Sequence, residues 1–528
     1  MGRFRLAYPN SPQPAFMRKY MQEMNASQPH AATITRRTML GSLAAATAAA
    51  ESPTWSTPEL PDPLIVEAYE RAARQNVLAS VNPSVFPGYF SVCADGRGFG
   101  YGNSYPSLDG HQLADALLCL GQVETAKANW EYVRKFQRED GNLPLAILPS
   151  QPGKSIGPAG YTTTVSSNGG LYHHWVPGNP LAALASPTYI QNADVIFRRT
   201  MDLAWLRAQM DSVNLAADFL ESLTTPEGAV QGGGYYVERP SRLDCDGVTQ
   251  PHAIDAFRRA AALNRATGNP ERAARMEMIA ARIRLNLVER FWVKDRFAEY
   301  RHPQHGLITS HGYTDADWAA LALGAATKEQ AAQLWPRVKN EKLFYYGGMP
   351  AGIATEPDKY AAWEFSYPDR MDLAAMGRVW YLECQARARM GDAEGLLESV
   401  RRVCEVGRTG GYYWRERYGP KGGHGVEKYC EYPANLIRIV ERFLLGVEFA
   451  IDGSVVLSPV VTPEFERRGF GHRLAWRGRV LEYRLWKGRI TGTYLGDAPQ
   501  RLVVRMRAET AATLPARARG YRFNLKVE

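Results

Sequence analysis

The chain has only six cysteines in 528 residues, Cys93, Cys119, Cys245, Cys384, Cys404 and Cys430, and no two of them form a Cys-x-x-Cys pair. That excludes a cysteine-ligated metal site or a disulfide-built scaffold as the organising principle. Cys119 and Cys384 sit in apolar helical stretches, which points to buried thiols. Outside the first fifty residues no window approaches the ~18 apolar residues of a membrane-spanning helix. Beyond residue 50 no run of Lys or Arg exceeds a pair. The formal charge of +9 is concentrated at the start, where Arg3, Arg5, Arg18, Lys19, Arg36 and Arg37 against Glu23 place +5, leaving +4 for the other 478 residues. Nucleic acid is therefore not an expected partner, because its footprint needs basic residues clustered on a folded surface. No residue signature recurs at a fixed period, which argues against an open solenoid.

What is present begins with length and composition. The chain exceeds one ordinary domain, and 45% hydrophobic with 22% charged residues is close to the globular average. One large domain and one small one fit. The early positive charge has its own reading: Thr35-Arg36-Arg37-Thr38-Met39-Leu40 leads into Gly41-Ser42-Leu43-Ala44-Ala45-Ala46-Thr47-Ala48-Ala49-Ala50. Two arginines, a short weakly apolar stretch and small residues look like a twin-arginine export signal. The competing reading is an Ala-rich first helix. Residues 1–52 are expected to be signal and extension, and the mature protein periplasmic or secreted, with no membrane span.

From about Pro58 to Gly446 apolar residues recur with helical period, in pairs. Helices are expected over Pro58 to Ser80, His111 to Thr125, Ala126 to Glu139, Thr314 to Ala326, Lys328 to Val338, Asp369 to Met390, Ala393 to Val406 and Pro433 to Gly446. Leu203, Leu206, Met210, Val213, Ala217 and Leu220 form one buried stripe. Ile254, Phe257 and Ala261 face inward until Thr267-Gly268-Asn269-Pro270 turns the chain, and Met276, Ile279, Ile283 and Leu287 continue on the return helix. About a dozen helices, with short turns on one side and long loops on the other, imply a closed ring over residues 53–446. After Gly446 the period becomes two. Val480 to Trp486 and Arg489 to Leu495 flank Lys487-Gly488, a two-residue hairpin signal, and Leu502 to Met506 adds a strand. Residues 447–528 are thus a small β-domain docked on the helices.

Two loops are rich in aromatics and acids, and each opens with Gly-Gly-Tyr-Tyr: Gly233 to Gly247 and Gly410 to Tyr432. Acid-bearing loops facing each other across the pit of a helical ring are what sugar hydrolysis needs. Each acid also has an ordinary reading, since loop carboxylates are usually solvated or cap the next helix, as Asp246 is placed to do. Trp175, Trp363 and Trp414 can stack on sugar faces or seal the core. His173-His174 has no third ligand at a fixed spacing, so hydrogen bonding to sugar hydroxyls is favoured over a metal, and no metal or cofactor is expected. Arg370 in Asp369-Arg370-Met371-Asp372 either reaches substrate or belongs to an acid-rich helix start. Cys245 and Cys430 lie one in each acid loop, which leaves open a disulfide between facing loops.

The layout resembles the six-hairpin (α/α)6 glycoside hydrolases, the superfamily of trehalases, processing α-glucosidases, debranching glucosidases and α-L-rhamnosidases. Asp109-Gly110-His111-Gln112-Leu113, with Phe136 to Pro144 after it, is similar to the stretch where these enzymes place sugar-binding groups. Ser458-Pro459 and the strand-rich tail resemble the β-domain that some members carry. The resemblance implies a mainly α fold, an (α/α)6 toroid of six helical hairpins with a small C-terminal β-sandwich-like domain. It further implies an inverting glycosidase acting on an oligosaccharide or glycoconjugate at an α-linkage. Glu238 to Gly247 resembles the segment that presents the general acid, which implies Asp244 for that role, although Leu243 stands where tryptophan is expected and Glu238 or Asp246 are alternates. Glu427-Lys428-Tyr429 with Tyr432 to Asn435 resembles the stretch that supplies the base. It implies Glu427, with Glu431 and Glu416 in reserve and His424 orienting the carboxylate that acts. Burial beside Tyr235, Tyr236 and Trp414 would raise the acid's pKa, as general-acid chemistry requires. Asp109, His111, His173, His174, Trp175, Tyr235, Tyr236, Trp363, Arg370 and Trp414 complete the expected substrate set.

Two other classes fit the same ring. A polysaccharide lyase would use Tyr172 or His173 to abstract a proton and Arg199 to neutralise a uronate, and an exported carbohydrate-binding protein would have no turnover. Replacing Arg36 and Arg37 together by lysine is expected to hold the product in the cytoplasm of a host with the twin-arginine pathway, as read by fractionation and immunodetection. Equal periplasmic recovery of both forms would return the segment to an ordinary helix.

Overall fold

The computed structural model describes residues 55–97, 104, 108–148, 170–171, 182–232, 245–339, 348–350, 360–361, 364, 374–419 and 421–527. Twelve helices come first: α1 (Pro63–Arg71), α2 (Leu108–Cys119), α3 (Val123–Arg134), α4 (Ala182–Thr200), α5 (Leu203–Ser222), α6 (Thr249–Ala266), α7 (Pro270–Asn286), α8 (Asp315–Ala322), α9 (Lys328–Val338), α10 (Gly377–Arg389), α11 (Ala393–Thr409) and α12 (Glu431–Ile439). The even-numbered helices pack side by side in order, and α12 returns to α2, so the ring is closed. The odd-numbered helices cover it from outside. This is an (α/α)6 toroid. Among the described residues, no helix is long and apolar enough to cross a membrane.

Burial follows from position in the ring. Every residue of α8 is buried, as expected for an inner helix enclosed on all sides. The outer α11 instead buries Leu396, Leu397, Val400, Val403, Cys404 and Gly407, a stripe at helical spacing. Helix starts are set by side chains: Thr327 and Gln330 form a reciprocal cap on α9, as do Thr314 and Asp317 on α8. Asn269 caps α7 with Pro270 as its first residue, after Gly268 at φ +88°.

The stretch expected as one helix from His111 to Thr125 is broken, because Gly121 at φ +74° turns the chain between α2 and α3. The helix expected from Asp369 starts only at Gly377, residues 369–373 lying outside the described part. Helix α4 was not legible at all. Ser186, Thr188, Gln191, Asn192 and Asp194 are buried in it alongside apolar residues, and it contains Pro187, so no apolar stripe marks it.

Short connections 120–122, 201–202, 267–269, 323–327 and 390–392 lead out of the inner helices, whereas long loops lead into them. All inner helices therefore point the same way, and their N-termini surround one mouth of the ring. Ring closure is ionic as well as apolar. Asp115 of α2 takes Arg438 of α12 at 2.8 Å and also Arg442 in the following π-helical turn Val440–Leu444.

The β-domain has eight strands: β1 (Val447–Phe449), β2 (Val455–Leu457), β3 (Phe470–Trp476), β4 (Arg479–Trp486), β5 (Arg489–Gly496), β6 (Gln500–Arg505), β7 (Glu509–Leu514) and β8 (Arg517–Lys526). They form two four-stranded sheets, β1-β2-β6-β7 and β3-β4-β5-β8. Lys487 (φ +48°) and Gly488 (φ +69°) make the tight turn between β4 and β5. At the junction Gly446 has φ +69°, and a Cβ there would lie 2.1 Å from the Ser458 carbonyl carbon. Buried Glu441 joins the two parts, accepting from Tyr69 of α1 at 2.8 Å and from His472 of β3 at 2.9 Å.

Burial opposes ionisation of Asp115, but Arg442 and Arg438 outweigh it and hold its carboxyl well below the usual range. Asp115→Ala would strand two guanidiniums and is expected to lower unfolding stability by about 3–5 kcal/mol in denaturant melts. Because the folded pKa is depressed, that contribution is present above the unfolded value near ~3.9 and is lost as pH falls through the folded one. The gap between wild type and variant should narrow in acid.

Candidate active site

The mouth is built from the N-termini of the inner helices, where exposed backbone N–H groups and short side-chain reach bring polar residues together. Tyr429, just before α12, donates from its hydroxyl to Asp109 of α2 at 2.7 Å. Burial raises the Tyr429 pKa well above its ordinary value, with Asp109 next in effect, Arg378 opposing, and then Glu416 and Glu431. Arg378 links the acids nearest to it, standing 3.6 Å from Asp109 and 2.7 Å from Glu431. Glu431, the first residue of α12, is buried. Its Oε1 accepts from the backbone N–H (2.8 Å) and Nε (2.7 Å) of Arg378, and from Gln112 at 3.4 Å. Its Oε2 is buried with no hydrogen-bond partner. Burial raises the Glu431 pKa against the pull of Arg378. Gly377 permits this approach, since a Cβ there would meet Glu431 Cγ at 2.9 Å.

Glu416 is buried in the same loop, held by the Val426 N–H at 3.0 Å and the Arg417 Nε at 3.1 Å. Glu427 differs, because its side chain is 68% exposed and pairs outward with Arg415 at 2.6 Å. His111 hydrogen-bonds Asn192 at 2.7 Å. Burial, and then the charge of Arg438, lower its pKa to about 4, so it is neutral near pH 7. Asp246 is fully buried and accepts from Thr249 Oγ1 at 3.0 Å and from the Val248 N–H at 3.4 Å, just ahead of α6.

Trp414 does not offer a stacking face. It is completely buried, donates to the Val403 carbonyl at 3.2 Å and packs on Gly407, so it seals the core. His424 is half-buried on the strand Gly422–His424, packed against Gly419, and orients no carboxylate among the described residues. All six cysteines are free, so Cys245 and Cys430 are not joined, and the Cys245 sulfur instead accepts from Arg301 at 3.1 Å. Asp244, Glu238, His173, His174, Trp175, Tyr235, Tyr236, Trp363 and Arg370, with Tyr172, lie outside the described residues. Arg199 sits 17 residues beyond Ala182 at the far end of α4, about 25 Å from the mouth. It bonds the Ala475 carbonyl of the β-domain.

One buried cluster was invisible in the sequence. His311 bridges Glu299 (2.6 Å) and Glu364 (3.1 Å), Tyr360 donates to Glu299 at 2.9 Å and stacks on His311 with ring centres 3.5 Å apart, and Tyr300 donates to Glu364. It lies beside the strand Tyr300–His302, which pairs with Cys245–Asp246 at the end of the first acid loop. The members are scattered over residues 299 to 364, and only Glu364, next to the singled-out Trp363, had a neighbour that drew notice. Arg378 was obscured by the helix start expected at Asp369.

The toroid has the six-hairpin glycosidase fold. The chain is similar to the GH78 family rhamnosidase of Bacillus sp. GL1, 12% identical with a TM-score of 0.60, covering 82% of this chain and 40% of that one. It is also similar to the α-L-rhamnosidase of Dictyoglumus thermophilum, 11% identical, TM-score 0.57, covering 89% and 50%. A structure described as a sialidase matches at 11% identity and TM-score 0.61, covering 82% and 38%. The chain thus spans half or less of the length of these proteins. No protein-family model matches it, and neither does any curated protein.

Burial disfavours protonation of His311, but its hydrogen bonds to Glu299 and Glu364 prevail and raise its pKa above 6.5. Its contribution to stability is therefore complete below the unfolded value and is lost as pH rises through the folded one. His311→Gln is expected to lower the melting temperature more at pH 6 than at pH 9, and calorimetry at the two pH values reads the difference.

Proposed function

We propose that this chain is an exported inverting glycosidase that cleaves an α-linkage in an oligosaccharide or glycoconjugate at the mouth of the toroid. The observation that carries this reading is the Tyr429 hydroxyl donating to Asp109 beside the buried Glu431–Arg378 pair, with buried Glu416 on the same loop. A toroid shared with rhamnosidases supports it at the level of fold. Asp109 and the unpartnered Oε2 of Glu431 are suited to accept hydrogen bonds from sugar hydroxyls. The general base is Glu416: it is buried, and Arg417 at 3.1 Å and the Val426 N–H at 3.0 Å fix its carboxylate in place, as positioning a water requires. Glu427 is the less suited, because its carboxylate turns to solvent with Arg415. Asp244 remains the proposed acid, with Glu238 its alternate. Inversion requires a separation of ~6.5–9.5 Å between acid and base, room for one water.

Aryl glycosides and disaccharides supply the assay, and NMR of the first product supplies the anomer. Glu416→Gln and Asp244→Asn are each expected to lower kcat by ~10²–10⁴ with little change in KM. Glu427→Gln should stay within a few-fold of wild type. The reverse ranking of the two glutamates would return the base to Glu427, and a retained anomer would exclude inversion.

A further inference from the structure

Behind the mouth, an axial cavity of about 460 Å³ runs down the inside of the ring. That size is within the usual range of ~300–1,000 Å³ for small-molecule sites. His111, Gln112 and Arg378 line its inner end below the mouth, and exposed Arg258 and Glu448, with Val447 and Phe449 of the β-domain, also line it. Leu118, Val195 and Leu382 supply apolar wall.

Its charge is unbalanced. Arg198, Arg199, Arg258, Arg259, Arg438 and Arg442 all face it. Asp115 is shared by Arg438 and Arg442, and Asp194 by Arg198 and Arg259, with Arg198 also 3.9 Å from Glu448. Asp255 takes a further bond from Arg259, while Glu441 is occupied by Tyr69 and His472. Two guanidiniums are left over. Arg199 is 7% exposed, uses one nitrogen on the Ala475 carbonyl at 2.8 Å, and keeps its buried Nε without a hydrogen-bond partner. Arg258 makes no hydrogen bond or ion pair with a described residue. Burial pulls both guanidiniums below their ordinary pKa, outweighing the opposing charge of Glu441 on Arg199 and of Asp255 on Arg258. A buried donor left unmade is costly, and a guanidinium is matched most closely by an oxyanion that takes two N–H groups at once.

We propose that this rear cavity binds a small organic oxyanion, a phosphorylated or polycarboxylated molecule, held by Arg199 and Arg258 at a site separate from the sugar mouth.

The site does not depend on the glycosidase reading, and its test uses no sugar turnover. The purified full chain is titrated by calorimetry with citrate and, separately, with inorganic phosphate, at an ionic strength held constant with sodium chloride. Saturable binding of one anion per chain is expected, weakened on the order of tenfold to a hundredfold in Arg199→Gln. Arg258→Gln alters an exposed side chain without partners, so it should melt like the wild type while still binding several-fold more weakly. Binding of citrate alone assigns a polycarboxylate and comparable binding of phosphate assigns a phosphoryl group, and both support the site. Heats no larger than those of matched chloride, or binding unchanged in both variants, overturn it.

Discussion

The closure of the ring rests on one carboxylate. Asp115 of the first inner helix accepts Arg438 and Arg442 from the last, across 323 and 327 residues of chain. An ion pair of this kind costs several kcal/mol to desolvate and repays that cost only when geometry and supporting hydrogen bonds are complete. Here they are: Arg438 also reaches Asn435, and Asn435 bonds Gln112, so the α2 and α12 seam is a connected polar network. Its position matters because Gln112 and Asn435 lie one turn below Asp109 and Glu431. The network that closes the ring also sets the floor of the mouth.

At the mouth, burial and charge pull against each other in a way that separates the acids by chemistry. Glu431 is desolvated with one oxygen saturated by Arg378 and the other bare, while Glu416 is fixed by a backbone N–H and a guanidinium. The Glu299, His311 and Glu364 cluster applies the same logic to structure, since two buried carboxylates share one imidazole whose protonation they favour. It stiffens the wall on which the end of the first acid loop is hydrogen-bonded.

The two ends of the toroid differ because the connections do. Long loops enter the inner helices and carry the acids, and short turns leave them, so the opposite face is free for the β-domain to cover. Glu441 with Tyr69 and His472, and Arg199 with Ala475 and Phe449, make that junction partly polar. A buried guanidinium whose Nε has no hydrogen-bond partner is a cost to folding at this seam, which gives the rear cavity its chemical character.

The sequence by itself determined what local physics encodes. Outer helices such as α5 and α7 present apolar stripes, Gly268-Asn269-Pro270 ends one helix and begins the next, and Lys487-Gly488 permits only a tight turn between alternating strands. Tertiary structure decided the rest. Inner helix α4 shows no stripe because neighbours surround it, and Trp414 became core rather than a sugar platform because Gly407 lets its ring lie against α11. Among the loop acids, spacing along the chain could not separate Glu427 from Glu416 or Glu431. They lie within fifteen residues of one another, and only the fold determines which carboxylate meets solvent and which is buried beside Arg417 or Arg378.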